Sequence, residues 1–357
     1  MFKSISFLLV SVFLESASAT DYIKYLAQEG RWKNYIPDNY ELVAKLGDRA
    51  FNWSPDSDAE KILDNEVLTR DPFIVFKPDH SVIAERKTKS GIVIYKARYT
   101  FDSKSRRYVP TKSREQKKNI IALGCSFTLG TGLNDDETFP FYLSELRSGY
   151  NVYNLGIYGA GANDILDDLK SFKRFEDISG RGGIVIYSAI VDHIERSLCT
   201  LNCYRRTYRD WVLKKTNYEY DKKNNVLINK GSFATSRPIK GPLFSAIASF
   251  SLFDKINIPP ELTDEQIDNY VIILAEIKKL SREKLNSEFY FTLYPNHYEH
   301  WERIKKSLEK HNIKYLDLSN IDFKKATDRR QTIILDGHPT NLANYLFANL
   351  LHHQLPK

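Results

Sequence analysis

Three residues of this chain have types suited to nucleophilic catalysis: Ser126, inside the stretch NIIALGCSFTLGTG at 119–132, and Asp336 and His338, inside ILDGHP. A serine hydroxyl is a weak nucleophile until a base takes its proton. An imidazole does that best when a carboxylate holds it in the right tautomer. Asp336 and His338 stand two apart after the apolar run at 333–335, so in an extended loop both would face the same side. Each residue also has a plain reading, with Ser126 capping a turn and His338 an ordinary loop residue before a helix. Only a fold that joins the two loops makes a site of them.

The elements around these residues predict such a fold. The run Ile120-Ile121-Ala122-Leu123 stops at Gly124, Gly130 and Gly132 relax the chain beyond Ser126, and a helical pattern starts near Thr138. That is a buried strand, a tight turn carrying the serine, and a helix. A serine at the carboxyl end of a parallel strand lies where open α/β sheets place ligands, and glycine lets the backbone come close. Further strands are expected at 152–156, 183–190, 288–293 and 314–318. Helices alternate with them: one through Ile165, Leu166 and Leu169, one opened by Thr263 with Gln266 as capping-box partner, one from about His297 and one after Pro339. The alternation predicts a doubly wound parallel sheet across 119–357. Residues 197–260 interrupt it with polar and aromatic sequence and a possible hairpin, YEYD-KKNN-VLIN. An insertion there is either a lid or substrate wall, or a surface elaboration. Residues 20–118 lack the rhythm; GIVIYKARYTF, DSKS and RRYVP read as a hairpin in a small β-containing accessory module.

Composition narrows the function. With 357 residues, 42% hydrophobic and 27% charged, the chain has ample material for a core. Its net charge of +7 is spread without a long Lys/Arg block, so no nucleic-acid partner is expected. Gly156-x-x-Gly159-x-Gly161 has the wrong order for a dinucleotide loop and no Lys follows it, so no cofactor is expected. His297-x-x-His300 lacks a third ligand, which argues against a metal. At the amino terminus, Lys3, an apolar run at 5–14 and Ala17-Ser18-Ala19 match a secretory signal at 1–19, cleaved after Ala19. The run is shorter than the roughly 20 residues that span a bilayer. The expectation is an exported protein, periplasmic or extracellular, without a stable membrane anchor. In an oxidising space Cys199 and Cys203 are close enough to bridge, leaving Cys125 buried beside Ser126.

Three stretches also resemble a family. GCSFTLGTG with Glu137-Thr138-x-Pro140 is similar to the first motif of the SGNH/GDSL hydrolases, Asn154-x-Gly156-x-x-Gly159 to the second, and Asp336-Gly337-His338-Pro339 to the last. The resemblance covers the chain from about Asn119 onward. It implies a three-layer α/β/α flavodoxin-like sandwich and ester chemistry without metal or cofactor. Ser126 would be the nucleophile, His338 the base and Asp336 its orienter, with the backbone N–H groups of Ser126 and Gly159 facing the oxyanion. Two positions depart from the pattern. Cys125 stands where the family often has Asp. The third motif lacks its Asn, the strand running instead into Val191-Asp192-His193-Ile194-Glu195-Arg196. Asp192 would repel an oxyanion, so His193 is the expected substitute donor; the alternative is an Asp192–Arg196 pair with His193 packed locally. The implied activity is an exported serine esterase or deacylase acting on a small-molecule or glycan ester, with an O-acylated glycan preferred. An acyltransferase to a glycan and a non-catalytic carbohydrate-binding or assembly protein on the same fold stay open.

Overall fold

The structure is a computed structural model; it describes residues 67–69, 76–91, 93–111, 118–200, 203–204, 209–239, 241–244, 262–295, 298–318, 331–333 and 335–356. The expected leader at 1–19 and His297 lie outside the described residues.

Among the described residues the first paired strands are β1 (His80–Lys87) and β2 (Val93–Phe101), antiparallel with Ala84 opposite Ala97. The sequence predicts that β2 turns back through DSKS onto RRYVP; the chain does return there, Tyr108 N–H donating to Thr100 O, but the strand that β2 pairs with along its length is β1, upstream. Beyond β2, the Asp102 carboxylate accepts from the Lys104 and Arg106 backbone N–H groups and from Arg106 Nε. That tight turn brings the chain back antiparallel to the end of β2, with Asp102 N–H donating to Arg106 O and a bridge between Phe101 and Arg107.

The apolar runs of the second part form β3 (Lys118–Gly124), β4 (Tyr150–Asn154) and β5 (Gly183–Ala189). The insertion's hairpin follows as predicted, β6 (Thr216–Asp221) antiparallel to β7 (Val226–Ser232). Then come β8 (Ser287–Leu293) and β9 (Lys314–Leu316). Five strands share one parallel sheet in the order β4-β3-β5-β8-β9. The order reverses between β3 and β5, and the crevice outside their carboxyl ends is where such sheets bind ligands.

Successive side chains of a strand face opposite sides, and both sides here are apolar. Ile120 and Ala122 of β3 pack with α2 (Phe139–Leu146) and a carboxyl-terminal helix, where the Phe139 and Phe347 rings meet edge to face with centroids 5.0 Å apart. Ile121 and Leu123 face the other layer, built by α3 (Ala162–Ser171), α4 (Asp192–Leu198), α5 (Asp264–Leu285) and α6 (Trp301–Lys310). The carboxyl-terminal helix is α7 (Asn341–Gln354). The Thr263 hydroxyl accepts from the Gln266 N–H and the Gln266 side chain accepts from the Thr263 N–H, so α5 starts with the expected capping box. The result is a three-layer α/β/α flavodoxin-like sandwich. Each buried Leu, Ile or Phe of these layers contributes on the order of 1.5–3 kcal/mol, which makes the sheet a rigid platform for the loops at its edge.

Candidate active site

Ser126 stands where β3 meets a one-turn helix, α1 (Ser126–Leu129). Cys125 is extended, and Gly130, with φ of 83°, closes the turn by donating its N–H to the Ser126 carbonyl. The Ser126 side chain thereby faces the loop after residue 331. Its Oγ lies 2.9 Å from His338 Nε2, and His338 Nδ1 lies 2.5 Å from Asp336 Oδ1. The three residues singled out by type are thus brought together. A carboxylate oxygen can only accept, so Nδ1 carries a proton towards Asp336. The Nε2 lone pair is left to face the serine hydroxyl.

The backbone reaches this pairing by another route than extension. Ile333 O accepts from the N–H groups of both Asp336 and Gly337, and Ile333 N–H donates to His338 O at 2.7 Å. Leu335 (φ 61°) and Gly337 (φ 83°) are left-handed, so a tight turn places Asp336 and His338 side by side. A leucine in that region is strained by about 1–3 kcal/mol, a cost that recurs where function needs the geometry.

The Asp336 side chain is fully buried, and its second oxygen Oδ2 forms a salt bridge with Arg86 Nη1 of β1. Burial pushes its carboxyl up, but the hydrogen bond and charge of His338, then those of Arg86, outweigh this and hold the group below the usual carboxylate range. The folded chain therefore binds this proton less readily than the unfolded chain. The resulting stability is fully present above the ordinary aspartate value of about 3.9 and is lost as pH falls through the lower folded value. Between about pH 5 and about pH 3, the urea midpoint of the wild type should fall further than that of Asp336→Asn. Equal falls in the two proteins would remove this contribution.

The second motif builds the wall beside the serine. Asn154 is buried, donating to Thr128 O at 2.9 Å and accepting from Gly156 N–H at 3.0 Å. Gly156 lies so close to α1 that a Cβ would sit 2.2 Å from Leu129 N. Ile157 N–H donates to Gly124 O, tying the loop to the end of β3. Gly159 has φ of 69°, and a Cβ on it would come within 2.8 Å of the Trp211 ring. Among the described residues, neither the Ser126 N–H nor the Gly159 N–H donates a hydrogen bond. The mouth is aromatic: the Phe127 and Tyr158 rings lie 5.6 and 6.3 Å from the His338 ring, and Tyr158 and Trp211 are each 37% exposed. Trp211 belongs to the 197–260 insertion, so that segment forms part of the wall.

The third motif does not supply the expected donor. His193 is fully buried, with Nδ1 2.7 Å from the Tyr187 hydroxyl, in the layer of α3 and α5. Burial, then the charges of Arg196 and Lys215, holds its imidazole well below the ordinary value, so it is neutral. No hydrogen bond among the described residues joins it to Ser126, His338 or Gly159. The expectation of His193 at the oxyanion is corrected to a core histidine; one residue earlier, Asp192 pairs with Arg196 at 3.2 Å, the i,i+4 alternative. Cys199 and Cys203 form the expected disulfide, and Cys125 is buried and free.

Sequence reasoning missed Arg86, Tyr158 and Trp211. Arg86 sits between Glu85 and Lys87 like any surface charge, and nothing in HSVIAERK distinguishes it.

No protein-family model matches the chain, and no curated protein matches it. Among solved structures it is similar to a member of the lipolytic protein G-D-S-L family from Veillonella parvula DSM 2008, at 11% identity over 67% of this chain and 98% of that one, with a TM-score of 0.36. It is also similar to an acetyl xylan esterase from the rumen bacterium Butyrivibrio proteoclasticus, at 10% identity over 75% of this chain and 66% of that one, with a TM-score of 0.37. A likeness this loose carries no argument about chemistry; the geometry of Ser126, His338 and Asp336 does.

Proposed function

We propose that the chain is an SGNH-type serine ester hydrolase that removes an O-acyl group from a glycan through an acyl-Ser126 intermediate. The observation that carries this reading is the unbroken chain from Ser126 Oγ through His338 to the buried Asp336 carboxylate. In the first step His338 Nε2 takes the hydroxyl proton as Ser126 Oγ bonds to the acyl carbon. The carbonyl oxygen becomes an oxyanion facing the Ser126 and Gly159 N–H groups, each donor worth roughly 10²–10³ in rate. Collapse breaks the ester bond, and the sugar oxygen leaves with the proton from His338. A water then repeats the sequence on the acyl-serine, returning the free enzyme and a carboxylic acid. A sugar hydroxyl in place of that water would make the same centre a transferase.

A rapid-quench experiment with p-nitrophenyl acetate tests the covalent step. The reading predicts a p-nitrophenol burst stoichiometric with enzyme and an added acetyl mass on the Ser126 peptide. Linear release with no acylated peptide at any time would defeat it.

The glycan preference is supported by Tyr158 and Trp211, flat apolar faces open at the mouth and suited to the C–H face of a sugar ring. Lys215 Nζ and the Arg196 guanidinium lie 4.9 and 5.8 Å from the Trp211 ring centre. Trp211→Ala should raise KM for an acetylated oligosaccharide by roughly three- to tenfold, as loss of about 0.5–1.5 kcal/mol of ring contact implies. Its KM for p-nitrophenyl acetate should stay unchanged; an equal rise for both would place Trp211 in loop support rather than sugar binding. Export is part of the proposal, supported by the signal-like sequence pattern at 1–19 and by the Cys199–Cys203 bridge, which suits an oxidising compartment.

A further inference from the structure

The β1–β2 hairpin precedes all three motifs in the chain and yet is fastened to both loops that carry Ser126 and Asp336. Ala84, Ile94, Tyr95, Ala97, Tyr99 and Phe101 share one apolar cluster with Leu129 of the serine turn and Ile333 of the aspartate turn. The Tyr99 hydroxyl accepts from Gly132 N–H at 2.6 Å. Arg107, fully buried just beyond the hairpin, donates to the carbonyls of Leu129, Gly130 and Leu133, and its guanidinium lies 3.9 Å from the centre of the Tyr99 ring. Within this clamp, Arg86 extends from β1 with 13% of its side chain exposed and reaches the Asp336 carboxylate, which has none exposed.

The two oxygens of Asp336 therefore have different partners: His338 Nδ1 on Oδ1 and Arg86 Nη1 on Oδ2. A carboxylate with one partner can swing about its terminal torsion. One gripped on both oxygens cannot, and the imidazole it holds is then fixed as well. The guanidinium also neutralises a carboxylate whose side chain is shielded from solvent. We infer that Arg86 is a positioning residue for Asp336 and that the β1–β2 hairpin is thereby a working part of the catalytic centre rather than an accessory. The inference rests on the serine-hydrolase reading, and it concerns a residue outside every motif that carries that reading.

A double-mutant cycle tests it on the full-length protein, with p-nitrophenyl acetate as substrate and thermal unfolding of each variant in parallel. A misplaced catalytic group costs on the order of 10²-fold, so Arg86→Met should lower kcat by about that factor with KM within about twofold. Arg86→Lys keeps a charge that can reach the carboxylate as a point donor, and should recover at least tenfold of the loss. The same Arg86→Met change made on Asp336→Asn should cost less than about threefold, because residues acting through one another are not additive. A wild-type kcat in Arg86→Met would overturn the inference. So would an undiminished loss on the Asp336→Asn background, or a Lys variant as slow as the Met variant. Covalent labelling of Ser126 in the wild type separates these outcomes from a failure of the hydrolase reading, which would abolish labelling in every variant and in the wild type alike.

Discussion

Ser126→Ala should lower kcat for ester hydrolysis by about 10⁶-fold, the cost seen when a serine nucleophile is removed from a working triad. The fold should be untouched. The residue is buried, the change removes only the hydroxyl, and among the described residues that hydroxyl's hydrogen bond goes to His338 alone. The α1 turn itself is held by the Ser126 carbonyl, which alanine retains. His338→Ala should cost nearly as much, and the double variant no more than either one, since base and nucleophile act as a unit. A thermal midpoint equal to wild type alongside the lost rate separates chemistry from unfolding. Hydrolysis undiminished in Ser126→Ala would move the reaction elsewhere.

Asp336→Asn should lower kcat by about 10⁴-fold, and the reason lies in the donors around it. Arg86 offers only N–H groups, so the asparagine oxygen turns towards Arg86 and its NH₂ towards His338 Nδ1. Nδ1 must then accept, and the ring proton moves to Nε2, where it faces the serine hydroxyl instead of receiving its proton. The loss should fall on kcat with KM little changed, because no substrate contact is removed. A variant within tenfold of wild type would show that Asp336 does not set the tautomer.

The parts of the chain that could be read from sequence are those whose physics is local. Of the sheet strands, β3, β5 and β8 announce themselves by being apolar on both faces, and α5 does so because its capping box precedes a clear 3.6-residue stripe. The candidate residues Ser126, Asp336 and His338 were legible by type, although the aspartate and histidine meet through a turn with Leu335 left-handed, not through an extended loop. No sequence rule places a leucine there. The remaining features depend on contacts between distant segments. That β2 pairs along its length with β1, a strand upstream of it, is marked by no local pattern in the sequence. His193 looked like a donor by its place after β5, but Tyr187 of that same strand holds its ring in the core. Arg86 and Trp211 reach the site only because a hairpin and an insertion fold back on it, and no local pattern records that return.

Whether Ser126 is a nucleophile activated by its neighbours is tested most directly by one measurement. Incubation of the wild-type protein with a serine-reactive alkyl phosphonate, followed by digestion and mass mapping, should place a single adduct on Ser126, with labelling abolished in Ser126→Ala and strongly slowed in His338→Ala. An unlabelled wild-type protein, or an adduct that persists on another serine in Ser126→Ala, would contradict it.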